Sequence, residues 1–323
     1  MNQINKILKS IFLVFISLLI GIIFCELILR AKHHYIINYD IEMWKYAKQL
    51  KEKVSNDKIN HVHIKNKSAL LQKTKVTINN FGQRDIDYNK SFLDKHDRSF
   101  LVIGSSVALG WGVESENTFT NVMNKKAQDN TKNWIFINGG IGNYNAERYV
   151  NNFFENWKNL EFTDVIVHFF VNDTELIQAA DTNIFTENLH LGVVIWKLIN
   201  SYVAAFNPEN INDYYEERFK DDYPGYIIAK QELENLSLYC KSYKIKCHIV
   251  IMPDLHKLNP YKLNFINKKI YNIAKEFDFN YFDLLPVFEK IEAKKLWNKY
   301  NDPHPNVYAH NLMGNAIYDF LNK

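Results

Sequence analysis

The chain has 323 residues, enough for one large domain and an appendage. Hydrophobic residues make up 47% and aromatic ones 15%, while Gly (11) and Pro (7) are scarce, which excludes a disordered, collagen-like or repeat architecture. The formal charge of +3, from 39 Lys+Arg against 36 Asp+Glu without a long basic run, gives no reason to invoke nucleic acid.

The chain opens on an apolar run, 11–25 (IFLVFISLLIGIIFC), which Leu27, Ile28 and Leu29 extend past Glu26. Its length approaches the roughly 20 residues a helix needs to cross a bilayer core. Lys6 and Lys9 supply the positive start of a signal peptide, but no small-x-small cleavage site follows, so residues 1–32 read as an uncleaved membrane anchor. Basic residues on both sides, Lys6 and Lys9 against Arg30 and Lys32, leave its orientation open. No second span of this kind follows, and the rest reads as one soluble body.

Residues 33–98 are polar and aromatic and read as a juxtamembrane lead-in. From 99 onward, short apolar runs alternate with amphipathic stretches. The runs 100–104, 134–138, 164–171 and 246–252 are expected to be strands buried on both faces, with 280–285 a weaker fifth. Helices are expected at about 117–129, 145–158, 226–243, 260–277 and 306–322. That alternation predicts an α/β domain with a parallel sheet covered on both faces, whose strand C-termini share one ligand-binding edge. Residues 181–225 break the pattern and read as an insertion over that edge, either core packing or a lid.

Chemistry is therefore sought just after each strand. Gly104-Ser105-Ser106 follows the first, where a serine at a strand end and helix start projects clear of the sheet beside N–H groups suited to an oxyanion. The elbow pattern GxSxG is not matched, because position 108 is Ala. Asn138-Gly139-Gly140-Ile141-Gly142-Asn143 follows the second, a tight turn or a backbone donor. Asn172-Asp173 follows the third; Asn172 offers an amide to the same edge, and Asp173 reads as a helix N-cap. Near the C-terminus, Asp302-Pro303-His304-Pro305 puts a carboxylate two residues from an imidazole on a loop stiffened by prolines. No HExxH, P-loop or GxGxxG pattern occurs, and neither a metal nor an organic cofactor is called for. Cys240 and Cys247 fit no zinc or CxxC spacing; they are two free thiols, or a disulfide if the domain lies in an oxidising compartment.

The order of these four signals resembles the SGNH/GDSL hydrolase superfamily, whose four blocks supply a Ser, a Gly, an Asn and a His. Residues 102–119 (VIGSSVALGWGVESENTF) are similar to the first block, 137–145 (INGGIGNYN) to the second, 169–173 (FFVND) to the third and 302–317 to the last. INNFGQRD (78–85) and ELILR (26–30) resemble a membrane-tethered bacterial branch. The resemblance implies a three-layer α/β/α sandwich with a mostly parallel five-stranded, flavodoxin-like sheet, facing the periplasm or cell exterior. It implies Ser106 as nucleophile, His304 as base then acid, and Asp302 as the residue orienting His304. The oxyanion hole would comprise the Ser106 N–H, an N–H from Gly140 or Gly142, and the Asn172 side chain. Two positions depart from the pattern: Ser105 stands where the family has Asp, and Asn143 where it often has Gly.

The expected activity is that of a serine esterase removing short, O-acetyl-type groups from a small molecule or a surface glycan. Transfer of the acyl group to a sugar hydroxyl would use the same triad. Loss of the family Asp motivates a third reading, a catalytically silent glycan-binding or scaffold protein. The sequence carries no signal for an oligomeric state.

Overall fold

The computed structural model describes residues 2–177, 184–205, 210–300 and 302–323. They form two compact units: one holds the residues up to Lys48 with those from Ile184 to Ala205, the other holds the rest.

The first unit is helical. Asn2–Tyr35 is a single helix, long and apolar enough to cross a membrane, and no other described helix meets that test. Its apolar side chains from Ile4 to Ile28 face outward. Glu26, the one acid in that run, has a structural explanation. Its carboxylate accepts the backbone N–H groups of His190 (3.1 Å) and Leu191 (2.9 Å), at the start of helix His190–Ala205, and takes Arg30 Nε at 2.7 Å. A carboxylate at a helix N-terminus satisfies donors that have no partner within the helix. Helix Tyr39–Leu50 adds Ile41 and Trp44, which pack with Val193.

The second unit begins with two hairpins. β1 (Lys51–Lys53) pairs with β2 (His61–His63), and β3 (Lys67–Leu71) with β4 (Thr74–Ile78). The region expected to be a plain lead-in thus contributes a helix to the first unit and two hairpins to the second. A five-stranded sheet follows, made of β5 (Arg98–Gly104), β6 (Trp134–Gly140), β7 (Asp164–Phe170), β8 (Lys246–Met252) and β9 (Asn280–Asp283). Its order is β6-β5-β7-β8-β9 and every pairing is parallel.

Alternate residues of these strands enter two separate cores. Leu101, Ile103, Ile137, Val165, Val167, Ile249 and Ile251 pack with residues of helices Ala146–Asn152, Pro224–Tyr243 and Asn264–Phe277. Phe100, Val102, Phe136, Ile166 and Val250 pack with residues of Phe119–Asp129 and Val307–Leu321. Burial on both faces explains why the strands read as unbroken apolar runs. The architecture is the expected three-layer α/β/α sandwich, with five strands where five were expected. The 145–158 helix is shorter than its sequence pattern, changing at Phe153 to a wider turn through Trp157.

The expected 181–225 insertion is not one element. Its helices Ile184–Asn188 and His190–Ala205 belong to the first unit and Ile211–Arg218 to the second, while 181–183 and 206–209 lie outside the described residues. Cys240, late in helix Pro224–Tyr243, is bonded to Cys247 in β8, with Cα atoms 6.4 Å apart.

Candidate active site

Ser106 opens the short helix Ser106–Leu109 directly after β5. Its backbone N–H lies in the first turn, where N–H groups have no partner within the helix. The helix closes on Gly110 in the left-handed region (φ +81°), and Trp111 N–H returns to the Ser106 carbonyl at 3.1 Å. Near the C-terminus, β10 (Trp297–Lys299) pairs antiparallel with β11 (Asp302–Pro305), forming a ribbon that holds His304. Asn306 then caps helix Val307–Leu321 by accepting the Ala309 N–H, which fixes the far end of the ribbon.

Across 198 residues of sequence, Ser106 Oγ and His304 Nε2 lie 2.8 Å apart. His304 Nδ1 is 2.5 Å from Asp302 Oδ1, which also accepts the His304 backbone N–H at 3.1 Å. Because Nδ1 faces a carboxylate, it carries a proton, and Nε2 is left with the lone pair facing the serine hydroxyl. Burial alone would raise the Asp302 carboxyl, but the His304 ring and N–H together with the Asn298 amide hold it below the usual carboxylate range. A hydroxyl, an imidazole and a carboxylate are thereby linked in the order that acyl transfer by a serine requires.

The glycine turn packs on the serine helix. A Cβ at Gly140 would lie 2.1 Å from the Leu109 nitrogen, so only glycine permits this approach. The Gly140 N–H donates to Asn138 Oδ1 at 3.0 Å and is thus already engaged. The Gly142 carbonyl meets His61 Nε2 at 3.1 Å, and burial holds His61 far below its ordinary pKa, hence neutral. Asn172 is half-buried in the turn just past β7, the strand beside β5, and its Oδ1 has no hydrogen-bond partner among the described residues. Asp173 caps no helix; its Oδ2 accepts the Phe170 N–H at 2.9 Å and closes the turn that carries Asn172. The same turn is tied to the glycine turn by Arg148, which donates to the carbonyls of Asn143 (2.8 Å) and Ile177 (2.6 Å). Ser105 is buried and its hydroxyl has no partner among the described residues.

Two residues of the lead-in complete the frame. Arg84 is fully buried and donates to the carbonyls of Leu109 (3.0 Å), Gly110 (2.6 Å) and Val113 (2.6 Å). Asp85 accepts the Asn138 N–H at 2.8 Å, and burial pushes its carboxyl up to about 6 against that hydrogen bond and the Ile86 N–H. Sequence reasoning singled out INNFGQRD only for its likeness to a branch of the superfamily; a charged pair in an otherwise neutral stretch was the available signal. Among the described residues no group of three or more His, Cys, Asp and Glu could hold a metal ion.

No protein-family model matches the chain, and no curated protein matches it. Several solved structures are similar. The psychrotrophic esterase EstA from Pseudoalteromonas sp. is 14% identical, with a TM-score of 0.43 over 70% of this chain and 100% of that one. A putative lipolytic protein of the G-D-S-L family from Desulfitobacterium hafniense is 14% identical, with a TM-score of 0.43 over 69% and 99%. Axe2, an acetylxylan esterase from Geobacillus stearothermophilus, is 13% identical, with a TM-score of 0.46 over 71% and 95%. The chemistry of the site rests on this chain's own side chains.

Proposed function

We propose that the protein is a membrane-anchored serine esterase that removes short acyl groups, of O-acetyl type, from a surface glycan. The observation that supports the reading most is the continuous hydrogen-bonded path from Ser106 Oγ through His304 to Asp302. Ser106 Oγ attacks the ester carbonyl as its proton passes to His304 Nε2. The Ser106 N–H and the Asn172 side-chain amide receive the oxyanion. A further N–H would come from the glycine turn, from Gly140, which in this structure donates to Asn138 Oδ1, or from Gly142. The C–O bond to the leaving alcohol then breaks, and His304 returns the proton to that oxygen. Water attacks the acyl-serine with its proton again taken by His304, and collapse, with His304 Nε2 returning that proton to Ser106 Oγ, releases the acid and the free serine.

The substrate class rests on location. The Asn2–Tyr35 helix supplies the anchor, and the Cys240–Cys247 disulfide favours the oxidising side of the membrane, where surface glycans lie. The test is p-nitrophenyl acetate hydrolysis by the full chain in detergent, beside Ser106→Ala and His304→Ala. Loss of activity in both variants is the expected result. A folded wild-type chain with no activity above background would overturn it.

A further inference from the structure

The turn after β8 repeats the local geometry of the catalytic Asp-x-His unit. Asp254 Oδ1 accepts the His256 backbone N–H at 2.8 Å and faces His256 Nδ1 at 2.8 Å. In the catalytic unit the corresponding distances are 3.1 and 2.5 Å. Asp254 is buried, and its own N–H donates to the Tyr261 hydroxyl at 3.1 Å. The His256 side chain keeps 52% of its surface exposed, and Nε2 has no partner among the described residues. A third His–Asp contact in the sheet, His248 with Asp164, is different in kind. It is buried, and Arg98 closes it from the other side at 2.5 Å.

Strand register sets where His256 lies. β7 and β8 pair in parallel with Phe170 opposite Met252, so Asn172 and Asp254 each leave the sheet two residues beyond the last pair. On its other side the turn meets the catalytic ribbon. Trp297 Nε1 donates to the Leu255 carbonyl at 2.8 Å, and the Trp297 and His256 rings meet edge-on at 6.0 Å. Trp297 pairs with Pro305, the neighbour of His304. The turn that carries His256 therefore leaves the sheet beside the strand end that leads to Asn172, and it touches the ribbon that carries His304.

We propose that His256 binds a neutral hydroxyl of the substrate beyond the ester, as a sugar ring presents, accepting its hydrogen bond at Nε2. The proposal rests on the esterase reading for the identity of the substrate. With Nδ1 held by Asp254, the neutral ring offers Nε2 only as an acceptor. An anion is disfavoured, because the pair carries a charge of −1 with the ring neutral and zero with it protonated. The Asp254 hydrogen bond raises the His256 pKa, burial opposes it, and the Asp254 charge adds to the rise. From the ribbon the group facing the ring is the uncharged Trp297 indole.

The test observes the imidazole directly. The full chain, labelled with 15N-histidine in a phosphocholine detergent, is titrated with methyl β-D-glucopyranoside, and the His256 resonance is identified by its loss in His256→Gln. The expected result is a saturable shift of Nε2 and a lower apparent pKa at saturation, since a hydroxyl donor binds only the neutral ring. Asp254→Asn should weaken the glycoside response. A resonance that stays fixed into the high-millimolar range would overturn the proposal, and so would an apparent pKa that rises with ligand. This readout does not pass through Ser106. A glycoside response without ester hydrolysis would sink the esterase reading alone; hydrolysis without the response would sink His256 alone.

Discussion

Asp85 Oδ2 accepts the backbone N–H of Asn138 at 2.8 Å, and this bond joins the segment after the hairpins to the strand that carries the glycine turn. Arg84, its neighbour, holds three carbonyls around the end of the serine helix. The planar fork of Arg reaches several acceptors at once, and a lysine ammonium in the same space does not. Arg84→Lys is therefore expected to lose about 2–4 kcal/mol of stability, as breaking a buried hydrogen-bond network does. Thermal unfolding of the full chain in detergent measures it. An unchanged midpoint would mean the three contacts contribute nothing net.

Asp302 makes a sharper prediction about chemistry. Asp302→Asn keeps the shape but removes the negative charge that holds the proton on His304 Nδ1, and its amide N–H can turn toward that nitrogen and favour the wrong tautomer. On the precedent of serine proteases, kcat should fall roughly 10³–10⁴-fold with little change in KM. Ester hydrolysis by the purified variant decides it, and a fall of less than tenfold would show that Asp302 does not orient His304.

The buried histidines set a pH dependence of stability. Burial pushes His168 down to about 4, and burial, with His168, Arg84 and His304 nearby, pushes His310 down to about 3. Below the unfolded value of about 6.5 the unfolded chain binds protons that these folded rings refuse, so stability falls as pH falls from there. For His168 the loss between pH 6.5 and 5 is about 2 kcal/mol, at about 1.4 kcal/mol per pH unit. Asp85 has the opposite sign: raised to about 6, it disfavours the fold as pH rises from about 4 through 6. The histidines dominate in the mildly acidic range, since His61 and His63 are lowered as well. Melting temperatures should drop from pH 7 to 5, and His168→Gln should flatten that slope.

What the sequence revealed and what it hid divide along a physical line. Strands buried on both faces announce themselves as apolar runs, so β5 to β8 were readable to within a few residues. The four strand-end signals needed only local spacing, and Asp302-Pro303-His304 carries its orienting bond within three residues. Arg84 was not readable, because its role depends on carbonyls 25 to 29 residues away. The reason for Glu26 in an apolar run was not readable either, since its partners, His190 and Leu191, lie more than 160 residues on. The engaged Gly140 amide was hidden for a different reason: it turns on the side-chain rotamer of Asn138, which spacing does not fix.

The Cys240–Cys247 bond closes a short loop between a helix end and a buried strand. A closed loop of this size stabilises by about 2–3 kcal/mol in the chain-entropy picture. Replacing both cysteines with alanine should lower stability by that order. Mass spectrometry of the native chain should find both thiols blocked until reductant is added. Free thiols in protein taken directly from the membrane fraction would place the domain in a reducing compartment, contrary to the localisation proposed above.

Glu26 ties the apolar N-terminal helix to helix His190–Ala205 through two backbone N–H groups and Arg30. Removing a side chain that caps a helix N-terminus generally costs about 0.5–2 kcal/mol, and one or two kcal/mol is a factor of about 5–30 in a local opening equilibrium. Glu26→Ala should therefore speed amide hydrogen exchange at the start of the 190–205 helix by about that factor. Glu26→Gln keeps one acceptor oxygen but gives up the charge that favours the helix dipole and Arg30, so its effect should be intermediate. Peptides from the 246–252 strand, in the other unit, should exchange as in the wild type in both variants. Unchanged exchange in the 190–205 helix of Glu26→Ala would mean that the acid is there for some reason other than this cap.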